Sequence, residues 1–351
     1  MLRDDLHKFP DYKPGKTEPN KLKLSANEIP NPPLPSVLGA MTQAASVANR
    51  YQINGSPELR AELSTYLGLP EENIAVAPGA SAIVQQAVMA TCHTGDEVIF
   101  PWRSFEAYPL YVRMAGAEPI MTPLTHDDRL GLDAVIDAIT DRTRLIILCN
   151  PNNPTGTTIS QEEFEDFMAR VPKDIVVLLD EAYWEYNDDP DSPNAAKEIQ
   201  NYPNLIGART FSKAFGLAGA RVGYGMASPE LVDALNLLAL PLTVSYIGEL
   251  GAIAALHAQD ELDARVDETK RQRTRVAQAL GVPESRANFV WLPRGDAKEV
   301  ERKISEEGII IRRYLDEGVR VSITTEEETT AFLNAWERAG IQPWEGETGG
   351  D

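Results

Sequence analysis

The chain has 351 residues, of which 43% are hydrophobic and 25% charged, and this composition predicts a globular protein with one large and one smaller domain. Its formal net charge of -20 argues against nucleic acid or an anionic membrane surface as a partner, because clustered lysines and arginines bind both. The two cysteines, Cys92 and Cys149, lie in apolar segments, so we expect a reducing, cytoplasmic compartment and no disulfide framework.

The N-terminal segment predicts neither a leader nor a helix. Residues 1–10 are charged and polar, and no stretch of the sequence is long and apolar enough to span a membrane. Residues 1–35 are rich in proline and lysine, which favours an extended arm. The four histidines are scattered without metal-ligand spacing, so no metal site is predicted.

The next segments predict a helix and then a strand that leads into a second helix. Leucines recur at helical spacing after Pro57, with Ser56 as the expected N-cap and Pro57 at the first helical position. A short strand over 74–77 passes through the turn 78–81 into the second helix, whose exposed N–H groups would attract an anion. Many turns between a strand and a helix look alike, so this anion signal is weak alone.

Polar side chains follow buried strands farther along the chain. The apolar runs 145–149 and 175–179 have strand length, and they end in the turn cluster 150–156 and in the acidic segment 180–183. Open α/β sheets bind ligands at the carboxyl ends of their strands. We therefore expect Asn153 and Asp180 to lie at one sheet edge.

Lys213 lies among hydroxyls, small residues and glycines in the segment 209–224, which follows an apolar strand candidate over 204–208. An amine that is desolvated, or held near another cation, is more often neutral and can attack a carbonyl. The alternative interpretation is a surface lysine that packs beside Phe211 and Phe215.

The alternation of strands and helices predicts an α/β fold with a mostly parallel, doubly wound sheet over residues 36–244. Residues 245–345 predict a smaller α+β domain, and residues 346–351 a disordered tail. Within the smaller domain we predict a helix over 261–280, a strand over 287–292, a helix over 297–307, strands over 309–312 and 318–323, and a final helix.

Three motifs in this order resemble the fold-type I pyridoxal-phosphate aminotransferases, in the branch that holds histidinol-phosphate and aromatic (phenylalanine) aminotransferases. They are Asn-Pro-Asn-Asn-Pro-Thr-Gly (150–156), Asp-Glu-Ala-Tyr (180–183) and Thr-Phe-Ser-Lys-Ala-Phe-Gly-Leu-Ala-Gly (210–219). The resemblance runs from about Tyr12 to the last helix. It implies a homodimer whose active sites are shared between subunits.

The resemblance also implies how pyridoxal 5'-phosphate would be held. Lys213 would form the Schiff base and move the substrate proton, Asp180 would pair with the pyridine nitrogen, and Phe105 would stack on the ring. Asn153 and Tyr183 would donate to the ring's 3-oxygen. The phosphate ligands would be Ala80, Ser81, Thr210, Ser212, Arg221 and the partner subunit's Tyr51.

Alternatives stay open for several of these residues. The family follows its tyrosine with Pro-Asp, whereas Gln52-Ile53 follows Tyr51 here, so a core tyrosine is the alternative. Asp180 as a helix cap, Asn153 as a turn former and Arg221 as a surface ion pair are the corresponding structural interpretations. Trp102 and Tyr108, near Phe105, are interpreted as possible core aromatics only.

Four residues resemble the substrate-binding positions of the family. Tyr12 and Asn27 would line the pocket, with arm packing and an Asx turn as the alternatives. Arg320 would hold the acidic end of the substrate, since a guanidinium binds a carboxylate bidentately, and Arg312 is a second candidate. Either arginine is alternatively an ordinary salt-bridge residue, which is the preferred interpretation for Arg313.

The predicted function is amino transfer between an aromatic, phenylalanine-like amino acid and 2-oxoglutarate. Phe105 and the surrounding Trp-Arg-Ser-Phe-Glu-Ala-Tyr-Pro (102–109) resemble the aromatic enzymes more closely than the histidinol-phosphate enzymes, where tyrosine commonly stands at this position. Histidinol-phosphate aminotransferase is the first alternative. A lyase or decarboxylase with the same cofactor, and a regulator that keeps the fold without catalysis, are the others.

Overall fold

A computed structural model describes residues 6–9 and 15–344. Its strands are β1 (Leu22–Leu24), β2 (Ile74–Ala77), β3 (Glu97–Trp102), β4 (Glu118–Pro123), β5 (Thr143–Cys149), β6 (Val176–Asp180), β7 (Leu205–Thr210), β8 (Gly223–Ala227), β9 (Phe289–Pro293), β10 (Ile309–Tyr314) and β11 (Gly318–Ser322). Its α-helices are α1 (Pro35–Ala45), α2 (Pro57–Leu67), α3 (Ala80–Thr91), α4 (Tyr108–Met114), α5 (Leu132–Asp137), α6 (Gln161–Arg170), α7 (Ala195–Glu198), α8 (Pro229–Leu238), α9 (Tyr246–Leu256), α10 (Gln259–Leu280), α11 (Ala297–Glu306) and α12 (Glu326–Arg338).

The larger sheet has seven strands in the order β2-β8-β7-β6-β5-β3-β4. Its strands pair in parallel except β8, which runs antiparallel to both β7 and β2. The mostly parallel doubly wound sheet that the sequence predicted is confirmed. Its central strands are buried on both faces because helices cover the sheet on either side, and this is why β5 and β6 are continuous apolar runs.

The smaller sheet has the order β1-β10-β11-β9. Its strands β9, β10 and β11, and the helices α10, α11 and α12, lie within a few residues of the predicted positions. The sequence did not predict β1. Leu22–Leu24 is too short to show a strand period, and it joins the sheet by parallel pairing with Ile309–Ile311.

Side chains cap the starts of α6, α7, α9 and α12, whereas α2 lacks the cap that the sequence predicted. Pro57 is the first residue of α2, as predicted, but the Ser56 side chain makes no cap hydrogen bond. The prediction of Ser56 as N-cap was therefore wrong. Its backbone is left-handed, with φ of 47°, whereas a capping serine needs an extended conformation. Ser160 has that conformation and forms a full capping box with Glu163 at the start of α6.

The domain limits of 36–244 and 245–345 remain predictions. Helix α9, which follows the predicted boundary, packs against α1 and α2. The arm predicted over 1–35 includes β1 among its described residues. Tyr12 and the tail over 346–351 lie outside the described residues.

Within residues 6–9 and 15–344, no helix is long and apolar enough to cross a bilayer. The same part of the chain has no cluster of three or more histidine, cysteine and acidic side chains that would suit a metal ion.

The register of the central strands aligns the polar side chains that follow them. Cys149 at the end of β5 lies beside Asp180 at the end of β6, and Asp180 lies beside Ala208 in β7. The segments that carry Asn153, Asp180 and Lys213 therefore leave the sheet at the same level. The fold delivers three predicted site residues to one edge.

Candidate active site

A cavity of about 220 Å³ lies at the carboxyl edge of β5, β6 and β7. It is lined by Ala80, Ser81, Phe105, Cys149, Asn153, Asp180, Ala182, Tyr183, Thr210, Ser212, Lys213 and Arg221. The lining includes every residue that the sequence assigned to the cofactor except Tyr51. Segments up to 141 residues apart in sequence are therefore brought to one site.

Lys213 lies in the loop after β7, with its ammonium nitrogen directed at the arm. Its Nζ is 3.4 Å from the carbonyl oxygen of Asn27 and 3.5 Å from that of Ala26. Desolvation, with the positive charge of Arg320 adding to it, lowers the pKa of Lys213 from 10.5 to about 8. A lysine in this setting is suited to nucleophilic attack, and the surface-lysine interpretation does not fit it.

The lowered pKa gives a testable pH dependence. The neutral amine is the nucleophile, so labelling of Lys213 in the cofactor-free protein should rise about tenfold between pH 6 and 7 and level off above about pH 9. We would label with trinitrobenzenesulfonate and quantify the Lys213 peptide by mass spectrometry. The control is lysine acetylated on its α-amino group, and the labelling rate of its side-chain amine should keep rising to about pH 10. A Lys213 rate that follows the control would contradict the lowered pKa.

Asp180 is only 5% exposed, and its carboxylate faces the cavity from the end of β6. Its Oδ2 accepts a hydrogen bond from the Tyr108 hydroxyl at 2.7 Å, and its Oδ1 accepts one from the Ala182 N–H at 3.1 Å. Burial raises the pKa of Asp180, while both donors oppose that shift. The interpretation of Tyr108 as a core aromatic only was therefore wrong.

The start of helix α3 forms one end of the cavity. Helix α3 begins at Ala80 and Ser81, directly after Gly79, and the first backbone N–H groups of a helix lack partners within it. Arg221 donates to the Ser212 hydroxyl at 3.2 Å and to the Pro78 carbonyl at 3.3 Å. In the described part of the chain no carboxylate pairs with Arg221, so the surface ion-pair interpretation does not hold there. Unpaired backbone donors and a guanidinium without an acidic partner together suit a phosphate.

Gly79 makes this close packing possible. Its φ is 94°, and a Cβ there would lie 2.7 Å from a terminal nitrogen of Arg221. Replacing Gly79 with alanine should therefore displace Arg221, and the loss of its charged contact with the phosphate, worth about 2 kcal/mol, should raise the Kd for pyridoxal phosphate roughly thirtyfold. Fluorescence titration of the cofactor-free protein measures this change.

Two controls separate the phosphate contact from general damage in the Gly79→Ala variant. Pyridoxal, which lacks the phosphate, should bind the variant nearly as well as it binds the unmodified protein. Gly219→Ala should change neither affinity, because nothing lies within 4 Å of a Cβ at Gly219. Equal losses for both ligands in Gly79→Ala would refute the assignment of this end to phosphate.

Arg320 does not line the cavity itself, but it contacts Asn153, which does, and it is 6% exposed. Its guanidinium donates to the Asn153 amide oxygen, to the Tyr314 hydroxyl at 2.9 Å and to the Ser25 carbonyl at 2.9 Å. Its Nε has no partner, and no carboxylate pairs with the side chain, among the residues the structure describes. A buried cation with only neutral partners is a ready site for an anion.

Asn27 connects the arm to this region. Its side-chain amide donates to the Tyr183 hydroxyl at 3.0 Å, and its backbone N–H donates to the Ser322 hydroxyl at 2.8 Å. Burial raises the pKa of Tyr183, which keeps its hydroxyl protonated. Tyr183 therefore retains a proton that it can donate into the cavity.

Arg312 and Arg313 both have acidic partners. Arg312 lies opposite Arg320 in the β10–β11 pair, but its guanidinium contacts the Glu106 carboxylate at 2.5 Å. The salt-bridge alternative therefore describes Arg312 in this structure. Arg313 pairs with Glu301 at 2.8 Å, as the sequence interpretation preferred.

Tyr51 lies outside the cavity of its own chain and is 87% exposed. The alternative interpretation of Tyr51 as a core residue was therefore wrong. The side chain of Ile53 is also exposed, as are those of Leu237 and Leu240. Ile53 lies beside Tyr51 in one surface depression and beside Leu237 and Leu240 in another, so the four side chains form one exposed apolar surface.

The sequence reasoning missed Tyr108 and Tyr314 as parts of the site. Tyr108 begins helix α4 and Tyr314 ends strand β10, and each contacts a predicted site residue through its hydroxyl. Tyr314 belongs to none of the motifs, and Tyr108 lies in the segment 102–109 without any feature that distinguishes it from a core tyrosine, which is common in any core. Only the folded geometry shows these contacts.

The cavity fits pyridoxal phosphate on its own chemistry. It offers a helix start with an unpaired arginine at one end, a buried carboxylate facing inward and a lysine of lowered pKa between them. These groups complement a phosphate, a protonated ring nitrogen and an aldehyde, respectively.

Comparison with known proteins agrees with this chemistry. Residues 19–335 match the family described as aminotransferase class I and II. The chain is 53% identical over 338 residues to the aromatic amino acid aminotransferase of Corynebacterium efficiens, covering 96% of this chain and 98% of that protein. It is 46% identical over 346 residues to the aromatic amino acid aminotransferase of Streptomyces coelicolor, covering 96% of each.

A solved structure gives the same family at lower identity. The histidinol-phosphate aminotransferase of Sinorhizobium meliloti, in complex with pyridoxal-5'-phosphate, superposes with a TM-score of 0.84 at 30% identity, covering 91% of this chain and 90% of that chain. The chain therefore belongs to the class I and II aminotransferases, and it is a pyridoxal-phosphate-dependent aminotransferase, as its motifs predicted.

Proposed function

We propose that the protein transfers the amino group between an aromatic, phenylalanine-like amino acid and 2-oxoglutarate. The observation that carries this proposal concerns the two arginines that face each other across β10 and β11. They differ in whether an acidic side chain pairs with them. Arg320 is buried without an acidic partner, whereas Arg312 is neutralised by Glu106. Among the described residues, Arg320 is thus a buried cation with only neutral partners beside the cavity, which suits the single carboxylate of an aromatic amino acid.

The surroundings of Arg320 support an aromatic substrate. Its guanidinium carbon lies 5.4 Å from the centre of the Phe289 ring and 5.7 Å from that of Tyr314. The aromatic side chains that line the cavity are Phe105 and Tyr183, and they favour a flat apolar substrate side chain, because it buries area against them and packs edge to face. The relatives named aromatic amino acid aminotransferase, at 46 to 53% identity over nearly the full chain, support the same choice.

Each cavity residue has a role in this proposal. When bound, pyridoxal phosphate supplies an aldehyde that condenses with amines and a ring that accepts electrons. Asp180 would hold a proton on the ring nitrogen, and Asn153 and Tyr183 would donate to the ring's 3-oxygen. Phe105 would exclude water from one ring face, and the residues that would bind the phosphate are Ala80, Ser81, Thr210, Ser212 and Arg221.

Lys213 does the proton work on the substrate. Its neutral amine would take a proton from the substrate α-carbon, and the resulting ammonium would give a proton to the cofactor's C4' carbon. A pKa of about 8 leaves a usable fraction of the amine neutral near pH 7, and the protonated form is then acidic enough to give the proton back. Arg320 would meanwhile hold the substrate carboxylate. Asn27, on the arm, would line the substrate pocket.

We also propose that two copies form a homodimer with shared sites, acting in the cytoplasm. Exposed Tyr51, Ile53, Leu237 and Leu240 provide an apolar surface that a second copy would cover. The partner subunit's Tyr51 would then reach the phosphate. Cys92 and Cys149 are free and buried thiols, which suits a reducing compartment. Sedimentation equilibrium tests the dimer, and a monomer at micromolar concentration would refute it.

The substrate is tested by comparing two reactions on one cofactor-saturated preparation. They are amino transfer from glutamate to phenylpyruvate and from histidinol phosphate to 2-oxoglutarate. We expect kcat/KM to favour phenylpyruvate by about a hundredfold or more, which corresponds to roughly 2.7 kcal/mol of transition-state stabilisation. A preference for histidinol phosphate would refute the aromatic proposal, and keto acid release without amino transfer would indicate a lyase.

A further inference from the structure

Tyr108 is fully buried and contacts two residues that line the cavity, although it does not line the cavity itself. Its hydroxyl donates to Asp180 Oδ2 at 2.7 Å. Its ring meets that of Phe105 edge to face, with centres 5.5 Å apart and planes at 87°. Tyr108 thus contacts both Asp180, the predicted partner of the cofactor's ring nitrogen, and Phe105, which is predicted to stack on the cofactor ring.

The rest of the protein holds Tyr108 in place. Its ring packs against Phe100 with centres 5.7 Å apart, and its backbone N–H donates to the Phe105 carbonyl at 3.0 Å as helix α4 begins. A tyrosine with a buried ring, a fixed backbone and a hydroxyl that is hydrogen-bonded to Asp180 has little freedom to turn. The hydroxyl is therefore preset toward Asp180.

Asp180 depends on this donor because water is excluded from it. A buried carboxylate stays ionised when hydrogen bonds or nearby positive charges replace its hydration, and the hydrogen-bond donors to Asp180 in the described structure are Tyr108 and the Ala182 N–H. Cys149 lies beside Asp180 in the sheet, but its thiol donates to the Pro151 carbonyl at 3.4 Å. Tyr108 is thus the side-chain donor that favours the charged form.

We infer that Tyr108 is a positioning residue, which keeps Asp180 ionised and aimed at the ring nitrogen of pyridoxal phosphate. The inference rests on the proposed role of Asp180 and extends it to a residue outside the cavity. Loss of the hydroxyl should weaken the contact at the ring nitrogen while leaving the contacts at the phosphate unchanged.

The test uses two cofactor analogues that cannot bond to Lys213. One is 4'-deoxypyridoxine 5'-phosphate, and the other is its 1-deaza form, in which a C–H group replaces the ring nitrogen. For the Tyr108→Phe variant we expect the Kd of 4'-deoxypyridoxine 5'-phosphate to rise about tenfold, as for loss of one hydrogen bond to a charged group. The Kd of the 1-deaza analogue should change less than about twofold. Titration calorimetry on cofactor-free protein gives both values.

The controls separate this inference from the proposed function. Tyr202→Phe makes the same chemical change at a tyrosine outside the cavity lining and should alter neither Kd. Asp180→Asn should weaken the first analogue and spare the second. Equal changes for the two analogues in Tyr108→Phe, with Asp180→Asn behaving as expected, would overturn only the role of Tyr108. Unchanged affinities in Asp180→Asn would overturn the proposed role of Asp180 and, with it, this inference.

Discussion

Replacing Lys213 with alanine is expected to reduce kcat for amino transfer from phenylalanine by about 1,000-fold or more, because the variant loses the group that moves the substrate proton. The amine of Lys213 has a lowered pKa and lies inside the cavity, where no other lysine lines the wall in the described structure. No neighbouring side chain of the same type can therefore replace it. Single-turnover absorbance changes after mixing with phenylalanine measure the loss.

Lys298→Ala is the matched control for the Lys213 variant. Lys298 is exposed on α11, away from the cavity, so its loss should leave kcat within about twofold, as most surface substitutions do. Added methylamine should restore part of the activity of Lys213→Ala by supplying a small free base. Near-normal turnover by Lys213→Ala without an added amine would contradict the proposed role.

Replacing Arg320 with methionine should reduce kcat/KM for phenylalanine by roughly 100-fold to 1,000-fold, as expected when a buried charge loses its partner. The free guanidinium of Arg320 is the group that would pair with the substrate carboxylate. Methionine keeps much of the side-chain volume but cannot bind an anion. Steady-state kinetics should show a large rise in KM, because the lost contact exists in the bound substrate as well as in the transition state.

Two controls make the Arg320 result specific. Phenylethylamine has the aromatic ring and the amine but no carboxylate, so Arg320→Met should lose little rate with it relative to the unmodified protein. Arg313→Met removes a neighbouring arginine that pairs with Glu301, and it should barely affect phenylalanine. Equal losses with phenylalanine and phenylethylamine would mean that Arg320 maintains the fold of the site instead of binding the carboxylate.

Much of the larger domain could be predicted because its strands carry a simple signal. β5 and β6 are buried on both faces, so they appear as continuous apolar runs, and the polar segments after them mark the strand ends. Once the strands were predicted, Asn153, Asp180 and Lys213 had to meet at one edge. The strand β1 gave no such signal, since three residues have no detectable period.

The contacts between distant side chains could not be predicted. Tyr108 is 72 residues from Asp180, and Arg312 is 206 residues from Glu106, so neither pairing leaves a local pattern. Ser56 looked like a cap because residue type alone does not reveal its backbone angles. Sequence patterns thus predicted which groups face the cavity more reliably than which groups support them.

The most direct test of the account is to find the lysine that carries the cofactor. The protein loaded with pyridoxal phosphate is reduced with borohydride, digested and mapped by mass spectrometry. We predict one phosphopyridoxyl group, on Lys213, and its absence when the Lys213→Ala variant is treated in the same way. A phosphopyridoxyl group on another lysine, or none in the loaded protein, would contradict the assignment of this cavity as the active site.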